Sequence, residues 1–261
     1  LIQSKNGSLY KKPVFSYSSH TSNSGSPDLP SRTTFIAVDP QKSYNIDVTF
    51  RASRNIENIE IAPKGSWENN TSKIQHFDAN YSGIENYYPK NIASISEPMA
   101  MRELSLLSLT VSPFRYFPEE KRLVEFLDIE VELIETGIRE SDTFFPSKRS
   151  RAFEPLYESL IENYSSLNRE LIPYQRPSIL YVLPSNIGNL LGTVNVLMEW
   201  KRRMGYEVNY ISSSAIVNNA NNLKNYIENA YETWDNPPEF VTLVGDAEGS
   251  YDIPTHFENW S

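Results

Sequence analysis

The fold is decided at residues 178–183, which read Ser-Ile-Leu-Tyr-Val-Leu. A continuous apolar run of this length is typical of a parallel strand that is covered on both faces. Two similar runs follow at 208–211 and 240–244, and each comes after a helical segment. The order strand, helix, strand, helix, strand therefore predicts an α/β unit with a parallel sheet and right-handed crossovers over residues 177–261. We expect this unit to be only the opening part of a larger sheet.

Two amphipathic helices are predicted between these strands. The second is the clearer one, because apolar residues recur at helical intervals from Leu223 to Trp234 before the chain reaches Pro237. The first helix is closed by Gly205, which is a typical C-cap residue. Its expected apolar side consists of Leu190, Val194, Leu197, Met198 and the stem of Lys201.

The N-terminal half has the period of an antiparallel β-domain. Apolar residues alternate with polar ones from Tyr44 to Arg51, and the pattern is repeated by Ile129, Val131 and Leu133, which is the signature of half-buried strands. No long amphipathic helix interrupts the short apolar runs of this half, so we predict an antiparallel sandwich over residues 33–136. The other short runs lie at 35–38, 59–62, 92–95, 104–111 and 123–127.

Two segments of different composition flank this β-domain. Residues 1–32 are rich in Ser, Asn, Gly and Pro, which predicts a flexible, extended or poorly ordered lead-in. Residues 137–176 read as a linker with one helix, because apolar residues from Phe153 to Tyr164 fall at helical spacing. The basic run at 148–151 has two equally good readings, as a processing site in an exposed linker or as a solvated basic patch.

The composition excludes several classes of function. The chain has 261 residues, enough for two domains, and a formal net charge of -9, which argues against nucleic acid as a partner. It contains no Cys, so neither a disulfide, a thiolate metal site nor a cysteine nucleophile exists within it. No apolar stretch approaches the roughly 18 residues of a membrane span. The chain begins at Leu1 without an apolar signal segment, so we expect that such a segment was removed or not included.

Polar residues follow each predicted parallel strand, at 184–186, at 212–214 and at Gly245-Asp246. In an open parallel sheet, ligands and catalytic groups gather beyond these carboxyl ends. The Gly-Asp pair is the most informative, because it places a carboxylate beside a flexible backbone. Asp246 then has two readings: an oxygen ligand of a hard cation, or a loop residue that caps backbone N–H groups.

The sequence contains no complete motif for a histidine metal site, a serine nucleophile or a nucleotide-binding loop. His20, His76 and His256 lie in polar, loop-like sequence without metal-ligand spacing between any two of them. His256 follows the third strand, and we read it as a surface residue rather than a catalytic one. No Gly-x-Ser-x-Gly elbow appears. The glycines of segment 186–192 lack a following Lys, so nucleotide binding is not expected.

Several of these segments together resemble gingipain-type (C25) cysteine peptidases. The most specific feature is Trp-Lys-x-x-x-Gly-Tyr-x-Val at 200–208, followed by Leu-Val-Gly-Asp at 243–246 and Ile-Pro at 253–254. The first strand at 178–183 agrees with the start of the peptidase domain. The upstream segments that resemble the β-rich pro-domain of the family are 27–30, 88–89 and 111–118.

The resemblance implies a secreted or cell-surface cysteine endopeptidase with a caspase-like catalytic domain and an N-terminal pro-domain that covers the active site. It implies a Cys-His dyad beyond this chain, acting on protein or peptide substrates by thiolate attack, with His as general base. The chain itself is then expected to be inactive. One functional position of the family maps onto it, Asp246, which implies a structural calcium ion whose other ligands lie after Ser261.

Two alternatives remain open at this stage. In the first alternative, the parent protein is a component of the type IX secretion machinery, because a cell-surface sortase of that pathway has a related peptidase domain. In the second, it is a catalytically silent surface binding protein. A Gly-His-Gly element and a following Cys beyond Ser261 favour the peptidase, and their absence favours a binding role.

Overall fold

Two separately packed units alternate along the chain. Unit 1 comprises residues 1–142 and 160–165, and unit 2 comprises residues 143–159 and 166–261. The structure is a computed structural model. It describes residues 2–3, 9–15, 18–20, 23–67, 74–75, 81, 84 and 86–256.

Most strands and helices lie close to their predicted places, but the apolar run at 59–62 forms no strand, and Ile61 makes only an isolated bridge with Lys11. The strands are β1 (Ile2–Gln3), β2 (Leu9–Tyr10), β3 (Arg32–Val38), β4 (Lys42–Ile56), β5 (Ser66–Trp67), β6 (Ile74–Gln75), β7 (Ala93–Ile95), β8 (Met99–Met101), β9 (Leu104–Val111), β10 (Phe114–Phe117), β11 (Arg122–Ile138), β12 (Ser178–Val182), β13 (Glu207–Ile211) and β14 (Phe240–Leu243). The helices are α1 (Glu154–Leu160), α2 (Leu190–Arg203), α3 (Ser214–Val217) and α4 (Ala220–Thr233), with a 3-10 turn at Tyr164–Ser166.

Unit 1 is built from antiparallel sheets. One sheet has the order β10-β11-β4, and another has the order β3-β9-β7 with β8 also paired to β9. Every strand pair in these two sheets is antiparallel, as predicted. Two short antiparallel ribbons, β1-β2 and β5-β6, complete the described strands of the unit.

The long ribbon of β4 and β11 carries the predicted alternation. Val48 lies opposite Val131 and Ile46 lies opposite Leu133, so these apolar side chains share one face. They are half-buried, whereas the polar residues between them are exposed. The stripe extends to Phe50, which is 47% exposed although the alternation predicted it to be half-buried.

Part of the predicted lead-in is packed, since residues 27–31 are buried, whereas Val14 is 73% exposed. Leu29 is 2% exposed and belongs to a core cluster with Ile61 and Tyr116. Earlier in the lead-in, the backbone N–H of Lys11 donates to Glu60 O at 2.8 Å, and Ser19 pairs with Ser31. Burial of an apolar side chain and these backbone bonds hold a segment whose composition alone favours disorder.

The linker helix is shorter than its periodicity indicates. It ends at Leu160, because Ile161 makes a β-bridge with Phe35 instead of continuing the helix. The Asn163 side chain then exchanges two hydrogen bonds with the backbone of Ala37, accepting from its N–H at 2.8 Å and donating to its carbonyl at 2.9 Å. Residues 160–165 therefore cover the free edge of β3.

The basic run at 148–151 is partly buried: its centre is shielded, whereas Arg151 is exposed. Arg149 makes a two-pronged ion pair with Glu154, with both N–O distances at 2.9 Å, and its side chain is only 14% exposed. Ser150 is fully buried. The ion pair and local packing thus hold Arg149 and Ser150 inside unit 2, and the reading as a processing site stays a prediction.

Unit 2 contains the predicted parallel sheet, in the order β13-β12-β14. Ile179, Tyr181 and Leu183 pack against Met198 of α2 on one face. Val182, on the opposite face, packs in a cluster with α3 and α4 residues. The helix between β12 and β13 and the helices between β13 and β14 thus cover opposite faces, as right-handed crossovers require.

The apolar side of α2 differs from the predicted one. Val194 and Met198 pack against the sheet, but Leu190 and Leu197 are each 43% exposed, and Leu191 packs in their place. The helix ends where it was predicted to end, since Gly205 follows it with a φ of +96°, a conformation that glycine adopts without steric cost.

Candidate functional site

The carboxyl ends of the three parallel strands come together at one edge of the sheet, as predicted. The order β13-β12-β14 reverses the direction of winding at β12, which places a crevice beyond the ends of β12 and β14. Ser185 and Asn186 follow β12, and Gly245 and Asp246 follow β14. This edge is the candidate functional site.

Hydrogen bonds tie the loops of this edge to one another. The Asn186 side chain donates from Nδ2 to the carbonyl oxygen of Ser250 at 2.5 Å, which joins the loop after β12 to the loop after β14. Ser185 Oγ bonds to Asn218 Oδ1 at 2.9 Å, which joins the same loop to the end of α3. Neither Asn218 nor Ser250 was predicted, because no local spacing signals a partner more than 30 residues away.

The loop after β14 turns back tightly on itself. The N–H of Asp246 donates to Tyr251 O at 3.1 Å, and the N–H of Ile253 donates to Asp246 O at 2.8 Å. Ile253 is buried at 5% exposure and packs with Val182. Gly245 is required at the start of this loop, since a Cβ there would collide with the carbonyl oxygen of Tyr251. Gly245 thus permits a close approach of two backbone segments, rather than supplying the flexible backbone expected from the sequence.

Asp246 is exposed at this edge, and its Oδ1 accepts the N–H of Ala247 at 2.7 Å. This is the capping interaction that loop chemistry favours. An oxygen ligand of calcium fits the chemistry of the same carboxylate, but calcium takes six to eight oxygen ligands. Within the described ranges, no three His, Asp or Glu side chains form a group that could hold a metal ion. These residues thus supply one candidate ligand, and the calcium assignment stays a prediction.

None of the three histidines is seen to take part in the hydrogen bonds of this site. His256 is exposed beyond Ile253, and His76 lies outside the described residues. His20 belongs to unit 1, where its Nδ1 lies 2.8 Å from Oδ1 of the buried Asp28, which also pairs with Lys12 at 2.6 Å. Burial lowers the pKa of His20, an effect that the neighbouring carboxylate opposes and the Lys12 ammonium reinforces.

The described residues of this edge position groups but do not assemble a reaction centre. Ser185 and Asn186 are hydrogen-bonded in the loops, Asp246 is solvated, and the sequence contains no cysteine. A parallel sheet with such an edge is a platform on which side chains from further strands complete an active site.

The class that these observations define is an antiparallel β-domain followed by an α/β unit with a three-stranded parallel sheet. Comparison with known families matches both parts in the same order. The C25 propeptide family (Propeptide_C25) matches residues 2–166, and Peptidase family C25 matches residues 172–260. The chain therefore belongs to the C25 peptidase family, and it carries the propeptide followed by part of the peptidase domain.

Relatives and a solved structure agree with this assignment. Gingipain R2 of Porphyromonas gingivalis is 25% identical over 260 residues, covering 97% of this chain and 34% of the relative. Gingipain R1 of the same organism is 23% identical over 258 residues, covering 97% of this chain and 25% of the relative. The chain thus spans about a third or less of the length of these curated relatives.

The complex of the Porphyromonas gingivalis RgpB pro- and mature domains matches 64% of this chain and 85% of that chain, with a TM-score of 0.55 and 22% identity. At 22% identity, this likeness shows a shared fold alone. None of the helices in the described part of the chain has the length and hydropathy that crossing a bilayer requires.

Proposed function

We propose that the parent of this chain is a secreted or cell-surface cysteine endopeptidase made as a zymogen, of which this chain is the N-terminal portion. The observation that carries the proposal is the tandem match, a C25 propeptide followed directly by a C25 peptidase domain. Membership of a peptidase family implies protein or peptide substrates. The nucleophilic thiolate, its His base and the oxyanion donors would then come from chain beyond the described residues.

In this proposal the parallel sheet of unit 2 opens a caspase-like domain. The strand order β13-β12-β14 supports it, because further strands can add beside β14, whose outer edge makes no strand pair within the described residues. Val241 and Leu243 on this strand are 40% and 56% exposed, as expected of side chains that later elements cover. Asp246 would contribute one oxygen to a structural calcium ion at the carboxyl ends of the parallel strands.

Unit 1 would serve as the inhibitory pro-domain, with its two antiparallel sheets packed as a sandwich. We retain the division proposed from the sequence, with a lead-in at 1–32, a β-domain at 33–136, a linker at 137–176 and the peptidase part from 177. The RgpB structure contains pro- and mature domains in one complex, which supports a pro-domain that acts on its own peptidase.

A thiol-directed inhibitor tests the proposal on the full-length parent. Proteolysis of a protein substrate should stop when the inhibitor is added and should resist a serine-directed reagent. Activity that persists with the thiol blocked would overturn the cysteine mechanism. A parent without any activity, and without Gly-His-Gly and Cys beyond Ser261, would instead favour the binding role, whereas transpeptidation without hydrolysis would favour a sortase-like component.

A further inference from the structure

Helix α2 carries a second apolar stripe on the side that faces away from the sheet. Its sheet-facing side is formed by Val194 and Met198. The outer stripe recurs at helical intervals, and its members are 43–71% exposed: Leu190, Val196, Leu197, Trp200 and Met204. A helix that is apolar on both sides is typically enclosed between two packed layers. The sheet supplies one of those layers, and the outer stripe lies open to solvent.

The outer stripe combines small residues with a bulky one. Gly192 and Thr193 lie two turns before Trp200, and together with Val196 and Leu197 they line a groove of about 580 Å³. A Cβ at Gly192 would meet nothing within 4 Å, so the fold of the single chain does not require glycine there. Glycine weakens a helix interior. Close approach by a side chain of another molecule is a physical reason to keep it.

The outer stripe is complementary to a second copy of itself in antiparallel orientation. With a two-fold axis between Val196 and Leu197, Val196 of one copy faces Leu197 of the other. Trp200 of one copy then faces Thr193 of the other, so that a large side chain meets a small one at both ends of the seam. Because a two-fold interface uses the same patch on both copies, a single register satisfies both ends at once.

The charged side chains of α2 lie beside this seam rather than within it. Arg202 is held by its own chain, since it donates to Glu199 Oε1 at 2.6 Å and to Val208 O at 3.1 Å. Lys201 Nζ lies 5.3 Å from the centre of the Tyr206 ring. Arg203 borders the stripe and is exposed, and side chains of this length keep their charge in water while their stems cover apolar surface. The seam therefore has the apolar centre and charged rim of a protein interface.

The size of the patch suffices for a weak but specific interface. Its five exposed side chains present on the order of 500 Å² of apolar surface, which is large for one patch on a monomer. Two copies would bury about 1,000 Å², the lower limit for a specific interface. An interface of this size corresponds to a dissociation constant in the micromolar range or above. More dilute chains are monomeric, so substitutions in α2 then act on the single chain.

Crossover helices form the outer layers of an α/β fold, so an element that covers the outer side of α2 comes from beyond those layers. We propose that the outer stripe of α2 is a homodimer surface. Two copies of the chain pack their α2 helices antiparallel, with Trp200 of each copy seated over Gly192 and Thr193 of the other. This inference goes beyond the proposed function and depends on neither peptidase activity nor inhibition by a pro-domain.

Sedimentation equilibrium of the 1–261 chain, from micromolar to submillimolar concentration, tests for the dimer. Val196→Glu places a charge at the centre of the seam and should raise the dissociation constant by about tenfold or more. The matched control is Val14→Glu, since Val14 lies in unit 1 and is 73% exposed, close to the 71% of Val196. This control adds the same charge and should change the constant by less than about twofold.

A third variant separates specific packing from general apolar contact. Thr193→Leu enlarges the apolar surface but fills the space that receives Trp200, so it should weaken the dimer by about threefold or more. Circular dichroism verifies that each variant is folded. A wild-type chain that stays monomeric at submillimolar concentration, equal constants in Val196→Glu and Val14→Glu, or tighter association in Thr193→Leu would overturn the proposal.

Single cysteines test the orientation of the helices, because the chain contains no Cys of its own. With the axis beside Val196, the two thiols of a Val196→Cys dimer are neighbours. Those of a Met204→Cys dimer are separated by about 22 Å along the helix axis, at 1.5 Å per residue. Mild oxidation should therefore join Val196→Cys chains by a disulfide and leave Met204→Cys chains unlinked. Equal linking of the two variants would contradict the antiparallel register.

Discussion

The loop after β14 is expected to depend on the absence of a side chain at Gly245. In Gly245→Ala, the new Cβ meets the carbonyl oxygen of Tyr251 and lies within 3.3 Å of two Ile253 side-chain atoms. If the loop holds, overpacking of this kind costs about 1–3 kcal/mol. If the loop yields, the hydrogen bonds between Asp246 and residues 251 and 253 are lost, at about 1 kcal/mol each. Both routes predict destabilisation of unit 2 by about 2 kcal/mol.

Urea unfolding of the 1–261 chain, followed by circular dichroism, measures this effect. The matched control is Gly192→Ala in the exposed face of α2, where a Cβ meets nothing within 4 Å. Glycine in a helix interior is unfavourable, so this control should stabilise the chain by about 0.5–1 kcal/mol. The two substitutions are chemically identical and should have opposite signs. A Gly245→Ala chain as stable as the wild type would show that the loop does not approach the strand end as described.

Three further predictions concern the pro-domain and the calcium assignment. Burial lowers the pKa of His20 from 6.5, so the unfolded chain binds more protons than the folded one below that pH. Stability, measured by urea unfolding at a series of pH values, should therefore fall more steeply in the wild type than in His20→Gln as the pH drops from 6.5 to the lowered pKa of the folded state; equal slopes in the two proteins would contradict this reasoning. In the full-length parent, calcium should raise the melting temperature, and Asp246→Asn should reduce that increase; an equal increase in both proteins would remove Asp246 from the ligand set. The fragment 1–165 should inhibit the mature peptidase well below micromolar concentration and more strongly than 1–142, which lacks the residues that cover the edge of β3. Equal inhibition by the two fragments in a peptide-hydrolysis assay would show that this edge segment is dispensable.

The elements of both units were largely predictable because their patterns are local. The apolar run of β12 and the helical spacing of α4 each specify an element without reference to distant residues. The parallel order of the sheet also followed, since consecutive strand and helix signals leave few allowed connections. The family could also be predicted from the sequence, because the motifs at 200–208 and 243–246 are short and contiguous.

The errors fall where a residue's environment comes from far along the chain. Helix α1 ends at Leu160 because Ile161 bridges to Phe35, 126 residues earlier, and no helical propensity encodes that competition. The face of α2 was misjudged at Leu197, because 3.6-residue spacing allows two neighbouring apolar stripes and only packing selects one.

The sequence by itself determined an antiparallel β half followed by an α/β half with a parallel sheet, and it placed Gly245-Asp246 just after the third parallel strand, since each depends on periodicity or on a contiguous motif. Only the tertiary structure decided how much of the basic run at 148–151 is exposed to solvent. Its charges read as solvated or accessible in the sequence, but Glu154 and the backbone near Tyr174 withdraw Arg149 from solvent. An ion pair gains its strength from burial, and burial is a property that the chain acquires only when distant segments have packed.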